Sequence, residues 1–131
     1  MPRTAGCSQR VRVGRLRKGE QFWEAAELVK EFSEDENVGD AYVTLCVHAG
    51  TAAADVVCCS RLGKHAQGEN HEEALALLAQ ANRSLRPHLA VLLQLKTRSG
   101  YSAQFTPASE QKRAGRAAKA LMEAARRAHT S

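Results

Sequence analysis

The segment from Asn70 to Phe105 constrains the fold of this chain more than any other stretch. Asn70 is followed three residues later by Glu73, which is the spacing of a helix capping box and predicts a helix over residues 71–81. Pro87 favours the first turn of a second helix. Apolar residues recur at helical spacing in both, so we expect two packed helices, with faces formed by Ala74, Leu75, Leu77, Leu78 and Ala81 and by Leu89, Leu92 and Leu93.

Helical patterns flank this segment on both sides. From Glu20 to Phe32 apolar residues recur at helical spacing, and we expect Trp23 to anchor that stripe. Ser99 and Gly100 are expected to end the helix that contains Pro87, whereas Thr106 followed by Pro107 predicts the start of a last helix. The expected buried stripe of that last helix is Ala114, Ala117, Ala118, Leu121, Ala124, Ala125 and Ala128.

Residues 41–62 are small and apolar on nearly all sides, and Asp40 and Gly63 stand where a helix cap and a helix end are expected. A membrane span is an alternative interpretation of such a run. Four polar residues inside it would be costly in lipid, namely Thr44, His48, Thr51 and Asp55. We therefore expect the central helix of a bundle and no membrane association.

Length and composition favour one all-α domain. The chain has 131 residues with only 5 % aromatic residues, and its apolar content is mostly Ala, Leu and Val. Residues 1–18 hold six basic residues and no acidic one, without a sustained period, so we expect a flexible basic arm there and a single helical bundle over residues 19–131. A second basic surface is expected at Lys112, Arg113, Arg116 and Lys119.

The net charge of +5 allows two interpretations. Basic ends around an acidic middle segment are compatible with binding of phosphate backbones, or with simple solvation and internal pairing. The scarcity of aromatic residues favours the second.

The cysteines are expected to be reduced. Cys46, Cys58 and Cys59 fall in one helical stretch, where Cys46 lies too far along the axis to bridge either neighbour. With an Arg-rich start that does not resemble a signal peptide, we expect a cytoplasmic protein. Zinc and other cofactors are not expected, because the His and Cys spacings match no common metal site.

Two groups of polar residues are candidates for chemistry. Arg83 and His88 together could act on RNA, with the imidazole moving protons and the guanidinium stabilising phosphorane charge, or could simply flank a turn between helices. Lys96, Arg98 and Tyr101 cluster at one helix end and could contact an anion or a nucleotide, although cations also complement a helix C-terminus. For Tyr101, a ring that covers the end of the bundle is an equal alternative.

The combined pattern resembles the HEPN family of helical-bundle proteins, from about Gln21 to Ala128. The resemblance lies in FWEAAELV, in AYVTLCVHAGTAAADVV, in the H-x-x-A-L-x-L-L segment at His71, in the L-x-L-K-x-x-x-x-Y segment at Lys96 and Tyr101, and in a closing Ala-rich helix. It implies an up-and-down four-helix-bundle core with an additional helix, a homodimer, and a role beside toxin, antitoxin or nucleotidyltransferase proteins. His71, Lys96, Arg98 and Tyr101 are the candidate binding residues.

Active RNases of that family carry an R-x(4–6)-H motif, and Arg83 and His88 match its spacing. Ser84 follows the arginine in place of the usual Asn, Asp or His, Pro87 lies within the motif, and the motif precedes its expected place. We therefore expect a non-catalytic protein that dimerises and binds a nucleotide, a nucleic acid or a nucleotidyltransferase-type partner. The alternatives are a metal-independent RNase toxin that uses Arg83 and His88, and a basic DNA-binding helical protein.

Overall fold

The computed structural model describes residues 3–32 and 38–130. These residues form five α-helices, a short 3₁₀ turn and two antiparallel strands, so the protein is mostly helical as expected. In chain order the elements are β1 (Thr4–Gly6), α1 (Gln9–Phe32), α2 (Gly39–Leu62), β2 (Lys64–Ala66), α3 (His71–Ala81), the 3₁₀ turn (Arg83–Leu85), α4 (Arg86–Gly100) and α5 (Ala108–Thr130).

Helix α2 is the element that the other helices share, with its most extensive contacts to α1 and α5 and further ones to α4 and α3. Small residues allow this. A Cβ atom at Gly50 would collide with the side chain of Leu92 on α4 and would lie 3.1 Å from Leu121 on α5. By length and composition α2 could cross a membrane, but 67 % of its apolar window is buried inside the fold. It is therefore the core helix that the sequence predicts.

The directions of the helices follow from their contacts with α2. Arg15 pairs with Asp55 while Phe22 stacks on His48, so α1 runs antiparallel to α2. Helix α4 is also antiparallel to α2, because Thr44 near the start of α2 bonds Ser99 near the end of α4, whereas Gly50 faces Leu92. Helix α5 runs parallel to α2, since Gly39 lies against Gln111 and Gly50 against Leu121.

Two of the predicted helix ends are confirmed. The side-chain oxygen of Asn70 accepts a hydrogen bond from the backbone N–H of Glu73 at 3.0 Å and caps α3. Gly63 ends α2 with φ 72°, a left-handed conformation that glycine adopts without strain.

Two other caps differ from expectation. Helix α2 begins at Gly39, and Asp40 lies in its first turn without capping it. The carboxylate of Asp40 instead accepts a hydrogen bond from the backbone N–H of Thr106 at 3.0 Å, which ties the start of α2 to the start of α5. The hydroxyl of Thr106 is buried and bonds to no described residue, so Thr106 does not cap α5 through its side chain. Helix α4 also continues through Ser99 and Gly100, and Tyr101 follows its end.

The prediction of a flexible arm over residues 1–18 is wrong from Arg3 onward. Strand β1 pairs with β2, and α1 begins at Gln9 rather than near Gly19. The hydroxyl of Ser8 accepts a hydrogen bond from the backbone N–H of Val11 at 3.2 Å and satisfies one free N–H in the first turn of α1. Residues 1 and 2 lie outside the described part of the chain.

A disulfide between Cys7 and Cys59 corrects the expectation of reduced thiols. It joins the segment before α1 to the last turn of α2, and so fixes the beginning of the chain to the core helix. Cys46 and Cys58 are free and buried, as expected. Because Cys7 and Cys59 are oxidised to a disulfide, these cysteines do not support the prediction of a cytoplasmic protein.

The core contains most of the side chains that periodicity indicates. Trp23 is buried and anchors α1, and the whole predicted Ala-rich stripe of α5 is buried. Phe32 is the exception, since 73 % of it is exposed at the end of α1. The apolar stripe of α1 instead extends toward the N-terminus through the buried Gly19 and the partly buried Leu16.

Gly50→Ala should lower the melting temperature followed by circular dichroism. The new methyl group must displace Leu92, and overpacking of this kind costs about 1–3 kcal/mol against a helix-propensity gain of about 1 kcal/mol. Gly14→Ala is the matched control, because Gly14 is an exposed α1 position where an added Cβ meets nothing within 4 Å. Gly14→Ala should raise the melting temperature. Equal stability of the two variants would contradict the close packing around Gly50.

Reduction of the disulfide should destabilise the protein by about 4 kcal/mol, the chain-entropy value for a separation of 52 residues. Chemical denaturation with and without a reductant measures this loss. Cys7→Ala should show the lower stability under both conditions. Titration of thiols in the denatured, unreduced protein should find two, and a result of four would contradict the disulfide.

Candidate functional site

Four polar residues interrupt the apolar middle of helix α2, between Tyr42 and Cys59, and all four lie on one face. Thr44, His48, Thr51 and Asp55 follow one another at intervals of three or four residues, which places them in a row along the helix. Helices α1 and α4 both pack on α2 and make little direct contact with each other. The polar row of α2 therefore lies between α1 and α4. Two cavities follow this row, one lined by α2, α4 and Tyr101, and the other lined by residues of α1, α2, α3, α4 and β2.

The first cavity, the Lys96 pocket, has a volume of about 200 Å³. Lys96 is half-buried in its wall and has no carboxylate within 4 Å among residues 3–32 and 38–130. The pocket is lined by Thr44, Val47, His48, Lys96, Ser99, Gly100 and Tyr101. It therefore presents one uncompensated cation in a concave surface, which is the simplest arrangement for binding an anion.

Hydroxyl groups fix the back of the Lys96 pocket. Thr44 donates a hydrogen bond to the hydroxyl of Ser99 at 3.0 Å, and Ser99 donates to the backbone carbonyl of Lys96 at 3.3 Å. These bonds join α2 to the last turns of α4. They fix the backbone from which the Lys96 side chain extends.

Two rings stand at the pocket's edges. The imidazole of His48 is exposed and stacks on Phe22 of α1, with ring centroids 5.0 Å apart and an interplanar angle of 28°. Tyr101 is 82 % exposed just after the end of α4. A phenol and an imidazole can both donate hydrogen bonds, so they extend the donor set that begins with Lys96.

The second cavity, the Asp55 cavity, has a volume of about 220 Å³. At its polar end, Arg15 of α1 donates through Nε to Oδ2 of Asp55 at 2.9 Å. The remaining walls are mainly apolar, so the cavity combines one partly buried ion pair with a hydrophobic body. It is lined by Arg15, Thr51, Ala54, Asp55, Cys58, Ala66, Gly68, Ala74, Leu89 and Leu93.

Burial governs proton affinity around this cavity. It raises the pKa of the Asp55 carboxyl, and the positive charge of Arg15 and the neighbouring His65 oppose that rise only in part. Burial, with the nearby Asp55, raises the pKa of the Cys58 thiol to about 12. Cys58 is therefore protonated at neutral pH and is a wall of the cavity rather than a nucleophile.

The structure separates the remaining predicted binding residues from Lys96 and Tyr101. Arg98 is neutralised by Glu110 of α5, with 2.7 Å between Nη1 and Oε2, and does not line the Lys96 pocket. His71 is exposed at the first position of α3 and lines neither cavity. Only Lys96 and Tyr101 of the four candidates share one site.

The two candidate RNase residues lie at the junction of α3 and α4. Arg83 is exposed in the 3₁₀ turn, and His88 is half-buried in the first turn of α4. Within the described residues neither side chain has a hydrogen bond or an ion pair that would orient it, and neither lines the two cavities. Nothing therefore assembles them into an acid–base pair in this structure.

The basic residues of α5 face a different groove. Lys112, Arg116 and Lys119 line an open space of about 740 Å³ between α1 and α5, whereas Arg113 is exposed outside it. The α1 wall of this groove carries Glu27 and Glu31 together with Lys30. Because two carboxylates line the groove beside its cations, the groove is less suited to a polyanion than the sequence alone indicates.

Sequence reasoning missed Arg15, Thr44, His48 and Asp55 as site residues. The signal that could have found them is the spacing of polar residues inside an apolar helix. Within residues 3–32 and 38–130, no three His, Cys, Asp or Glu side chains are grouped so as to hold a metal ion.

No protein-family model, curated protein or solved structure matches this chain. Its function is therefore inferred from the two cavities and from the resemblance to the HEPN pattern.

Proposed function

We propose that this protein is a non-catalytic, HEPN-like binding protein that holds the phosphate of a nucleotide or nucleic acid in the Lys96 pocket. In this proposal α1, α2, α4 and α5 are the up-and-down four-helix core of the HEPN pattern, and α3 is the additional helix. The observation that carries the proposal is an uncompensated, half-buried Lys96 inside a concave pocket rimmed by hydrogen-bond donors.

The donor set suits a phosphate group. An ammonium group contributes charge and up to three hydrogen bonds, while the phenol of Tyr101 and the ring of His48 can each donate to another phosphate oxygen. The hydroxyls of Thr44 and Ser99 are engaged with each other and with the backbone, and they support the site rather than bind the ligand.

The environment of Arg83 and His88 supports the non-catalytic form of the proposal. A general base needs a partner that orients it and a site where the reacting atoms can be held between base and cation. His88 has no such partner among the described residues, and Arg83 is exposed to solvent.

The proposal includes assembly with another protein. The HEPN resemblance implies a homodimer or a complex with a nucleotidyltransferase or antitoxin. Tyr101 and Phe105, at 82 % and 84 % exposed, are large apolar side chains just beyond α4 that such a partner would cover.

Lys96→Met should weaken binding of nucleoside 5′-monophosphates and pyrophosphate at least about tenfold, measured by calorimetry. A charge-assisted hydrogen bond contributes about 1.5–3 kcal/mol, and each 1.4 kcal/mol is a factor of ten. Arg98→Met is the matched control, because Arg98 lies two residues away, outside the pocket, and is already paired with Glu110. Its binding should equal that of the unmodified protein. If the unmodified protein binds neither nucleotides nor single-stranded RNA, the proposed function is wrong.

Purified protein should leave single-stranded RNA intact over prolonged incubation, as followed by gel electrophoresis. We expect this result because no hydrogen bond among the described residues orients His88 as a base beside Arg83. Arg83→Ala and His88→Ala serve as comparisons, and neither should change the result. Cleavage that disappears in His88→Ala while the circular dichroism spectrum is unchanged would favour the RNase alternative instead.

A further inference from the structure

The Lys96 pocket and the Asp55 cavity follow one another along α2 and α4. On α2 the row of Thr44, His48, Thr51 and Asp55 passes from the first into the second. On α4, Lys96 lines the first cavity, and Leu93, one helical turn away, lines the second. From His48 to Asp55 the rise along α2 is about 10 Å. That length is comparable with the separation of a base edge and its 5′-phosphate in a mononucleotide.

The volumes of the two cavities also favour a single ligand that occupies both. Their volumes are about 220 and 200 Å³, and each is smaller than the roughly 300–1,000 Å³ of a typical small-molecule site. Together they fall within that range. The Asp55 cavity alone exceeds the roughly 150 Å³ of an apolar cavity that takes benzene, so a single planar ring fits its scale.

The polar end of the Asp55 cavity presents a donor beside an acceptor. Arg15 uses Nε to bond Oδ2 of Asp55, which leaves the two Nη groups and Oδ1 without partners among the described residues. The side chains of Arg15 and Asp55 are 31 % and 15 % exposed, so the pair is accessible to a ligand. A nucleobase edge has the matching arrangement, an N–H beside a carbonyl oxygen or a ring nitrogen.

Charge distinguishes the Asp55 cavity from the Lys96 pocket. Arg15 and Asp55 neutralise each other, and the adjacent walls, Ala54, Leu89 and Leu93, are apolar. A neutral planar ring therefore suits the Asp55 cavity better than a second phosphate does. The charged part of the ligand belongs at Lys96.

From these observations we propose that one mononucleotide unit occupies both cavities, with its base against Arg15 and Asp55 and its phosphate at Lys96. This inference rests on the proposed function, since it assigns the base end of the ligand whose phosphate Lys96 binds. It also makes Arg15 and Asp55 binding residues in addition to a structural pair.

Ala74→Leu tests the base site by filling the Asp55 cavity without changing its charges. Ala76→Leu is the matched control, since Ala76 is exposed on the same helix and lines neither cavity. The probes are the four ribonucleosides, their 5′-monophosphates and pyrophosphate, titrated by calorimetry. We expect Ala74→Leu to weaken the binding of nucleosides and nucleotides at least about tenfold and to leave the binding of pyrophosphate unchanged. Lys96→Met should weaken the binding of pyrophosphate and nucleotides but not that of nucleosides.

Asp55→Asn is the second variant, because it keeps the side-chain volume and adds a donor to the cavity. It should change the order of preference among the four nucleosides and leave pyrophosphate binding unchanged. If Ala74→Leu does not fold, this change in preference decides the result.

The two proposals fail in different ways. Nucleotide binding that depends on Lys96 but is unaffected by Ala74→Leu and Asp55→Asn would overturn the base site and keep the phosphate site. The shared site would be overturned if Ala74→Leu weakens nucleoside binding while Lys96→Met leaves nucleotide binding unchanged. Absence of binding by any probe would remove the proposed function itself.

Discussion

The close approach of three helices at Gly50 is the constraint on which the rest of the structure depends. Because position 50 has no side chain, Leu92 of α4 and Leu121 of α5 both reach the backbone of α2. Burial of these leucines, which are 0 % exposed, then fixes both partner helices against the same turn. Helix α1 joins the assembly at the preceding position, where Gly19 approaches the carbonyl oxygen of Ala49. A side chain at position 50 would have to displace Leu92 from this contact.

The middle of a helix surrounded in this way should carry no polar residues, yet α2 carries four between Tyr42 and Cys59. Each of these polar side chains has a partner close by. Thr44 bonds the hydroxyl of Ser99, Thr51 donates to the carbonyl of Val47 at 2.8 Å, and Asp55 pairs with Arg15. His48 is exposed and stacks on Phe22. The polar row is therefore tolerated because α1 and α4 do not close over it, and the same opening makes it available to a ligand.

Local sequence patterns were sufficient for features that depend on neighbouring residues. The caps at Asn70 and Gly63 and the buried stripe of α5 follow from spacing within a few residues, and so does the proximity of Lys96 to Tyr101. The Cys7–Cys59 disulfide depends on residues 52 positions apart, and no local rule indicates it.

The first half of α1 was missed for a related reason. Its apolar residues Val13 and Leu16 stand among Arg12, Arg15 and Arg17, a composition that resembles a disordered tail. The pairing of Arg15 with the partly buried Asp55 becomes visible only in the fold. The partners of His48 and Asp55 are likewise on α1, and their roles appear only when that helix is placed beside α2.

The beginning of the chain is consequently part of the candidate site. The disulfide fixes Cys7 to the last turn of α2, and strand β1 pairs with β2, whose Ala66 lines the Asp55 cavity. Arg3 adds an ion pair with Glu73, 3.7 Å apart, which joins β1 to α3. These contacts hold the first turns of α1 in register, and that register brings Arg15 to Asp55. Since a buried carboxylate is costly without a cation, the geometry of the cavity depends on a segment whose composition alone resembles a disordered tail.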